Sequence, residues 1–155
     1  MNTRQEVNKQ VTNDLTLPTK EPNTKYVIAT TPPGHTCREM SYLIKWTNQE
    51  LKVKHIHPLV IISTFISEFL FIHPFQDGNG RTSRILTQVL LVNDGYKFAE
   101  CTSIDDVINA DRWIHSEILL KEAHHRNAEQ IIKLDHWIRY YLLTIELMTK
   151  QLLNI

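Results

Sequence analysis

The stretch His73-Pro74-Phe75-Gln76-Asp77-Gly78-Asn79-Gly80-Arg81-Thr82-Ser83-Arg84 decides how this chain is read. It lies between two segments of helical periodicity, and Pro74 cannot continue a helix, so the backbone must break there. Gly78 and Gly80 permit conformations closed to other residues and let successive N–H groups converge on an anion. A helix starting near Arg81 would turn its positive dipole end and unpaired N–H groups toward the same point. Arg81 and Arg84 are three apart on that first turn, where both can aim at phosphate oxygens. Asp77 is a hard oxygen ligand suited to Mg²⁺ shared with phosphates. His73 is the side chain of this loop whose ordinary pKa suits general-base work at neutral pH. Together these parts describe phosphate-anhydride chemistry.

On both sides of this loop the pattern is mostly helical. Met40, Leu43, Ile44 and Thr47 mark one face of a helix over about 36–50. His57-Pro58 opens a buried helix ending at Ile72. Arg81 to Asp94 carries apolar residues at 85, 86, 89, 90 and 92, with Gly95 as its stop. Ser103 has the spacing of a cap before a helix over 104–126, and Asp135 that of a cap before a last helix carrying Ile138, Leu142, Ile145 and Leu152. Upstream, residues 5–17 and the β-branched 23–31 read as extended, joined by the turn-like 17–23, so a hairpin is expected. A short hairpin needs helices to pack on. The expected fold is mainly α, a helical bundle with one small β-hairpin.

The chain has 155 residues, with 17 Lys plus Arg against 17 Asp plus Glu, so it lacks the basic footprint of a nucleic-acid or membrane-surface binder. One domain over 1–155 is expected from that length. Cys37 and Cys101 are too few for a disulfide framework and lack zinc-site spacing, which points to a reducing, cytoplasmic setting. Residues 1–25 hold no signal-peptide core, and Leu59–Ile72 is shorter than the roughly 20 residues a membrane span needs.

The 73–84 stretch resembles the signature of the Fic family, HPFx(D/E)GN(G/K)RxxR, at every specified position. Thr31-Pro32-Pro33, the Met40–Trp46 helix and His57-Pro58-Leu59 resemble the segment that precedes it in that family, and the hairpin at 5–31 resembles the family's flap. The resemblance implies a Fic-type bundle with a flap at 5–31, a core at 36–96 and C-terminal helices at 103–155. It implies a protein adenylyltransferase that moves AMP from ATP to a Tyr, Thr or Ser hydroxyl of a target protein and releases pyrophosphate. His73 would take the proton of the target hydroxyl. Asp77 would bind Mg²⁺. Asn79, with the backbone of Gly78 and Gly80, would hold the α-phosphate, and Arg81 and Arg84 the β- and γ-phosphates. Phe75 would bury its ring to anchor the loop. The flap would hold the target. The related Doc kinases carry Lys where this chain has Gly80, so Gly80 favours AMP transfer.

Three features depart from the family pattern. The inhibitory (S/T)xxxE(G/N) helix has no match; Thr64–Glu68 has its spacing but is followed by Phe69 inside the buried helix. The helices that usually precede the flap are also missing, so an inhibitory partner or antitoxin is expected to supply the glutamate, or the chain is a shortened form. The tyrosine often set against adenine has no clear match, and Trp113 and His115 lie nearest. Competing readings are AMP removal, transfer of another phosphate-containing group, or a silent Fic binding module or toxin component. His55 and His57 diverge on a helix. His124 and His125, with His115, sit among Lys121, Glu122 and Arg126 and read as wet surface. Trp46, Trp113, Trp137, Tyr140 and Tyr141 read as core or interface anchors. The Leu142–Leu153 stretch reads as packed within the bundle.

Overall fold

The computed structural model describes residues 9–127 and 135–153. The chain runs β1 (Leu15–Pro18), β2 (Lys25–Ile28), α1 (Pro33–Val53), α2 (Pro58–Ile72), α3 (Asn79–Asn93), a 3-10 turn (Lys97–Glu100), α4 (Ile104–Ala110), α5 (Arg112–Asn127) and α6 (Asp135–Leu153). This is the mainly helical bundle with a small hairpin that the sequence predicts. Among the described residues no helix is long and apolar enough to cross a membrane.

The hydrophobic α2 lies at the centre, with Ile61, Ile62, Phe69 and Leu70 almost wholly buried. It packs against α1, α3 and α6. Pro58 sits in its first turn, where a missing N–H costs nothing, and the His57 ring accepts from the Leu59 N–H. Its end is His73, in the left-handed region at φ 53°, with its N–H donating to the Phe69 carbonyl at 2.9 Å. Trp137 of α6 reaches across the core, its indole Nε1–H donating to the Ser63 carbonyl at 2.7 Å.

The hairpin is shorter than expected. β1 and β2 pair antiparallel with Leu15 opposite Ile28 and Leu17 opposite Tyr26. Leu15, Leu17 and Ile28 are buried, and the hairpin rests on α5. Residues 5–8 of the expected first strand lie outside the described residues; 9–14 run irregularly because their polar groups bond to the motif loop instead of to a strand.

The expected 104–126 helix is two helices. The chain breaks at Asp111, whose carboxylate accepts the Ile114 N–H at 3.2 Å and so caps α5. Ser103 stands at the cap position of α4 without a capping bond, and Asp135 lies inside the first turn of α6, paired with Arg139. Three helix faces also differ from the apolar pattern. In α3 the buried line is Ser83, Thr87 and Leu91, while Ile85 and Val89 are exposed. In α1 Thr36, Leu43 and Thr47 are buried and Ile44 is exposed. In α6 the inner face is Trp137, Tyr141, Thr144, Ile145 and Met148, leaving Leu142, Leu143, Leu147, Leu152 and Leu153 in solvent. The buried hydroxyls of Ser83, Thr87, Thr47 and Thr144 bond to carbonyls one turn back, which allows them into the core.

Candidate active site

Between the end of α2 and the start of α3 the chain makes a tight loop closed by Asn79. That side chain is buried; its Oδ1 accepts the Phe75 N–H at 2.9 Å and its Nδ2 donates to the Phe75 carbonyl at 2.6 Å. The amide expected at a phosphate thus also shapes the loop, with Oδ1 and one Nδ2 hydrogen taken by the Phe75 backbone and the second Nδ2 hydrogen left over. Phe75 is half-buried rather than enclosed, its ring packing on the core 6.2 Å from that of Phe69. Gly78 takes φ 82° at the head of α3, a conformation that favours glycine. Gly80 is different: it sits in ordinary helix, and an added Cβ would meet only the Arg84 Nη1 at 3.5 Å, an ordinary contact.

The loop opens into a cleft of about 520 Å³. His73, Asp77, Gly78, Asn79, Gly80, Arg81 and Arg84 all line it, so the motif residues are gathered on one wall. Asp14 and, from β1, Leu15, Thr16 and Leu17 line one side, and α4 and α5 close the far side with Ile108, Asn109, Arg112, His115 and Ser116. Of those far-side residues the sequence singled out His115 alone; Ile108, Asn109, Arg112 and Ser116 carry no local signal. Trp113 lines a separate cavity under the hairpin turn, so of the two aromatic candidates only His115 reaches the cleft.

The His73 ring is oriented by the backbone of α2. Its Nδ1 lies 3.0 Å from the Leu70 carbonyl, which makes Nδ1–H the donor and leaves Nε2 as the free acceptor. Burial holds its pKa below the usual histidine value, opposed by the Leu70 carbonyl; the Lys9 charge lowers it further and Asp14 raises it. Both arginines have carboxylate partners within the chain: Arg81 meets Asp77 at 3.1 Å on the open surface, and the half-buried Arg84 pairs with Asp105 at the start of α4.

Histidine 115 is not on a wet surface. Its ring lies 5.8 Å from that of Trp137 and 5.6 Å from that of Tyr140, with Nδ1 3.2 Å from the Tyr140 hydroxyl. Burial, and then the Arg84 charge, push its pKa down to about 4. Glu122 is buried as well and accepts the Trp137 N–H at 3.2 Å. The packing of α6 over α5 accounts for both. Side chains from His125 to Arg126 lie outside the described residues.

The chain fits a magnesium ion only as a shared one. Among the described residues no group of three or more His, Cys, Asp or Glu could hold a metal by itself. One exposed carboxylate, Asp77, beside a cationic phosphate wall is the donor set Mg²⁺ accepts when phosphates complete its shell.

The model of the Fic/DOC family matches residues 2–91. The protein adenylyltransferase Fic of Drosophila erecta is 39% identical over 64 residues, which span 41% of this chain and 13% of that protein. Its Drosophila melanogaster counterpart matches to the same extent. The crystal structure of a Fic family protein from Desulfovibrio desulfuricans superposes with a TM-score of 0.72 at 21% identity, covering 95% of this chain and 40% of that one. A Fic domain containing signaling protein from Bacteroides thetaiotaomicron superposes at 0.60 and 21% identity, over 92% of this chain and 53% of that one. The chain therefore spans about half or less of the proteins it resembles, and the two superpositions speak for the fold. With the motif loop, the cleft and the family match in agreement, this chain belongs to the Fic/DOC family.

Proposed function

We propose that the chain is a protein adenylyltransferase. The observation that carries this reading is the free Nε2 of His73 in the same cleft as the start of α3 and its two arginines. The 39% identity to proteins named adenylyltransferases supports it over the matched 64 residues.

The target hydroxyl gives its proton to His73 Nε2 as its oxygen attacks the α-phosphorus of ATP. The bond from that phosphorus to the bridging oxygen of pyrophosphate breaks, and AMP stays on the target as a phosphodiester. The α3 dipole and the first-turn N–H groups face the charge that develops. Arg81 and Arg84 hold the departing pyrophosphate, which requires Arg84 to leave Asp105. Asp77, together with the nucleotide's phosphates, would hold Mg²⁺, which supplies neutralisation of the polyphosphate charge. The target backbone would add to the outer edge of β1, which borders the cleft, a mode that gives affinity with little side-chain demand. An inhibitory partner carrying a glutamate would compete with Asp105 for Arg84.

Incubation with cell extract and ATP labelled at the α- or the γ-phosphate tests the reading. Label from the α position alone marks protein if it holds; label from the γ position alone means kinase chemistry. Release of AMP from a modified protein without net transfer would favour the reverse reaction.

A further inference from the structure

Residues 9–13 run alongside the motif loop and bond to it at four carbonyls. The Lys9 N–H donates to the Pro74 carbonyl at 2.7 Å, and its side-chain Nζ donates to the Ile72 carbonyl at 3.1 Å and to Thr30 Oγ1 at 2.9 Å. Asn13 Nδ2 donates to the Phe75 carbonyl at 2.6 Å and the Gln76 carbonyl at 3.2 Å. Thr30 completes the tie by donating to the Asn13 carbonyl at 3.1 Å. Lys9 is 2% exposed, an unusual state for lysine, which is almost never fully buried without partners.

The position of those carbonyls explains why a cation stands there. Helix α2 ends at Ile72, and its last carbonyls have no partner within the helix. They also carry the negative end of the helix dipole, which favours a positive group. His73 follows at φ 53°, a left-handed conformation that a non-glycine residue holds only when its surroundings fix it. Lys9 grips the carbonyl on each side of that residue.

We propose that Lys9 is a positioning residue of this site, fixing through the Ile72 and Pro74 carbonyls where the His73 imidazole stands. The proposal rests on the reading of His73 as the base. A neutral donor would satisfy the carbonyls; an ammonium also opposes a proton on the nearby imidazole. The charged groups facing the pair are Asp14 for both side chains and Glu39 for Lys9.

The test uses the full chain with ¹³C-labelled histidine, following the His73 ring by NMR against pH, alongside the rate of transfer from α-labelled ATP. In Lys9→Met the His73 midpoint moves to higher pH, and kcat falls by about 10- to 100-fold while KM for ATP changes little. Lys9→Arg keeps the charge and returns the midpoint and most of the rate. Asp14→Asn moves the midpoint the opposite way. Should Lys9→Met fail to fold, Lys9→Gln keeps two donors without the charge and carries the titration. A wild-type midpoint and rate in the neutral variants would overturn the proposal, and so would equal losses in the Met and Arg variants with an unmoved midpoint. Absence of transfer by the wild type would defeat the adenylyltransferase reading, while the titration, which needs no nucleotide, would still decide the role of Lys9.

Discussion

His115 makes the fold sensitive to acid in a way that can be isolated. The folded chain holds this ring near a pKa of about 4, because it is enclosed by Trp137 and Tyr140 with Arg84 nearby. In the unfolded chain the ring takes up its proton near 6.5. Between those values the unfolded state binds more protons, so stability is full above about pH 6.5 and is lost progressively as pH falls toward 4. The slope is about 1.4 kcal/mol per pH unit, giving a loss of about 2 kcal/mol by pH 5 from this residue. His115→Phe removes the titration while keeping a ring between Trp137 and Tyr140. Urea unfolding of both proteins at pH 7.5, 6.5, 5.5 and 5.0 measures the effect as a difference, so contributions shared by other groups cancel. The variant is expected to hold its stability better by about 2 kcal/mol across that range. Parallel curves would refute the burial argument for His115.

Three further outcomes follow from the site. Asp105→Asn removes the carboxylate that holds Arg84 and should tighten ATP by about fivefold in calorimetry, the worth of one partly exposed pair, with AMP unaffected; weaker ATP binding would mean that Asp105 orients the arginine. Gly78→Ala forces a side chain into φ 82°, costing about 1–2 kcal/mol and several degrees in thermal melting, whereas Gly80→Ala, in ordinary helix, should be near neutral for stability. The His73 pKa lies below the usual value, so the neutral base persists and the acid limb of transfer should fall below pH 6.5; a limb above that value would contradict the buried base.

What was legible in the sequence is what local sterics dictate. Pro58, Pro74 and Gly78 fix the ends of α2 and α3 through backbone restrictions that neighbours cannot change, and those boundaries agree with the structure to within about two residues. Properties set by distant packing were not legible. Counting only apolar residues misplaced the inner faces of α3 and α6, because Ser83, Thr87 and Thr144 satisfy their own hydroxyls and enter the core. His115 and Glu122 sit in a charged sequence yet are covered by Trp137 and Tyr140 from α6. Lys9 reads as one more polar residue near the start of the chain; its burial depends on a carbonyl 63 positions away. The motif residues line one cleft, and Asn79 bonds locally to Phe75, but the pairing of Arg84 with Asp105 is one that no local pattern announces.

In the proposed reaction His73 activates a hydroxyl without itself holding the nucleotide. The most direct measurement compares wild type with His73→Ala in two readouts on the same preparation, magnesium-dependent ATP binding by calorimetry and label incorporation from α-labelled ATP. Retained binding with incorporation lost is the predicted result. Incorporation by His73→Ala at the wild-type rate would rule out His73 as the base.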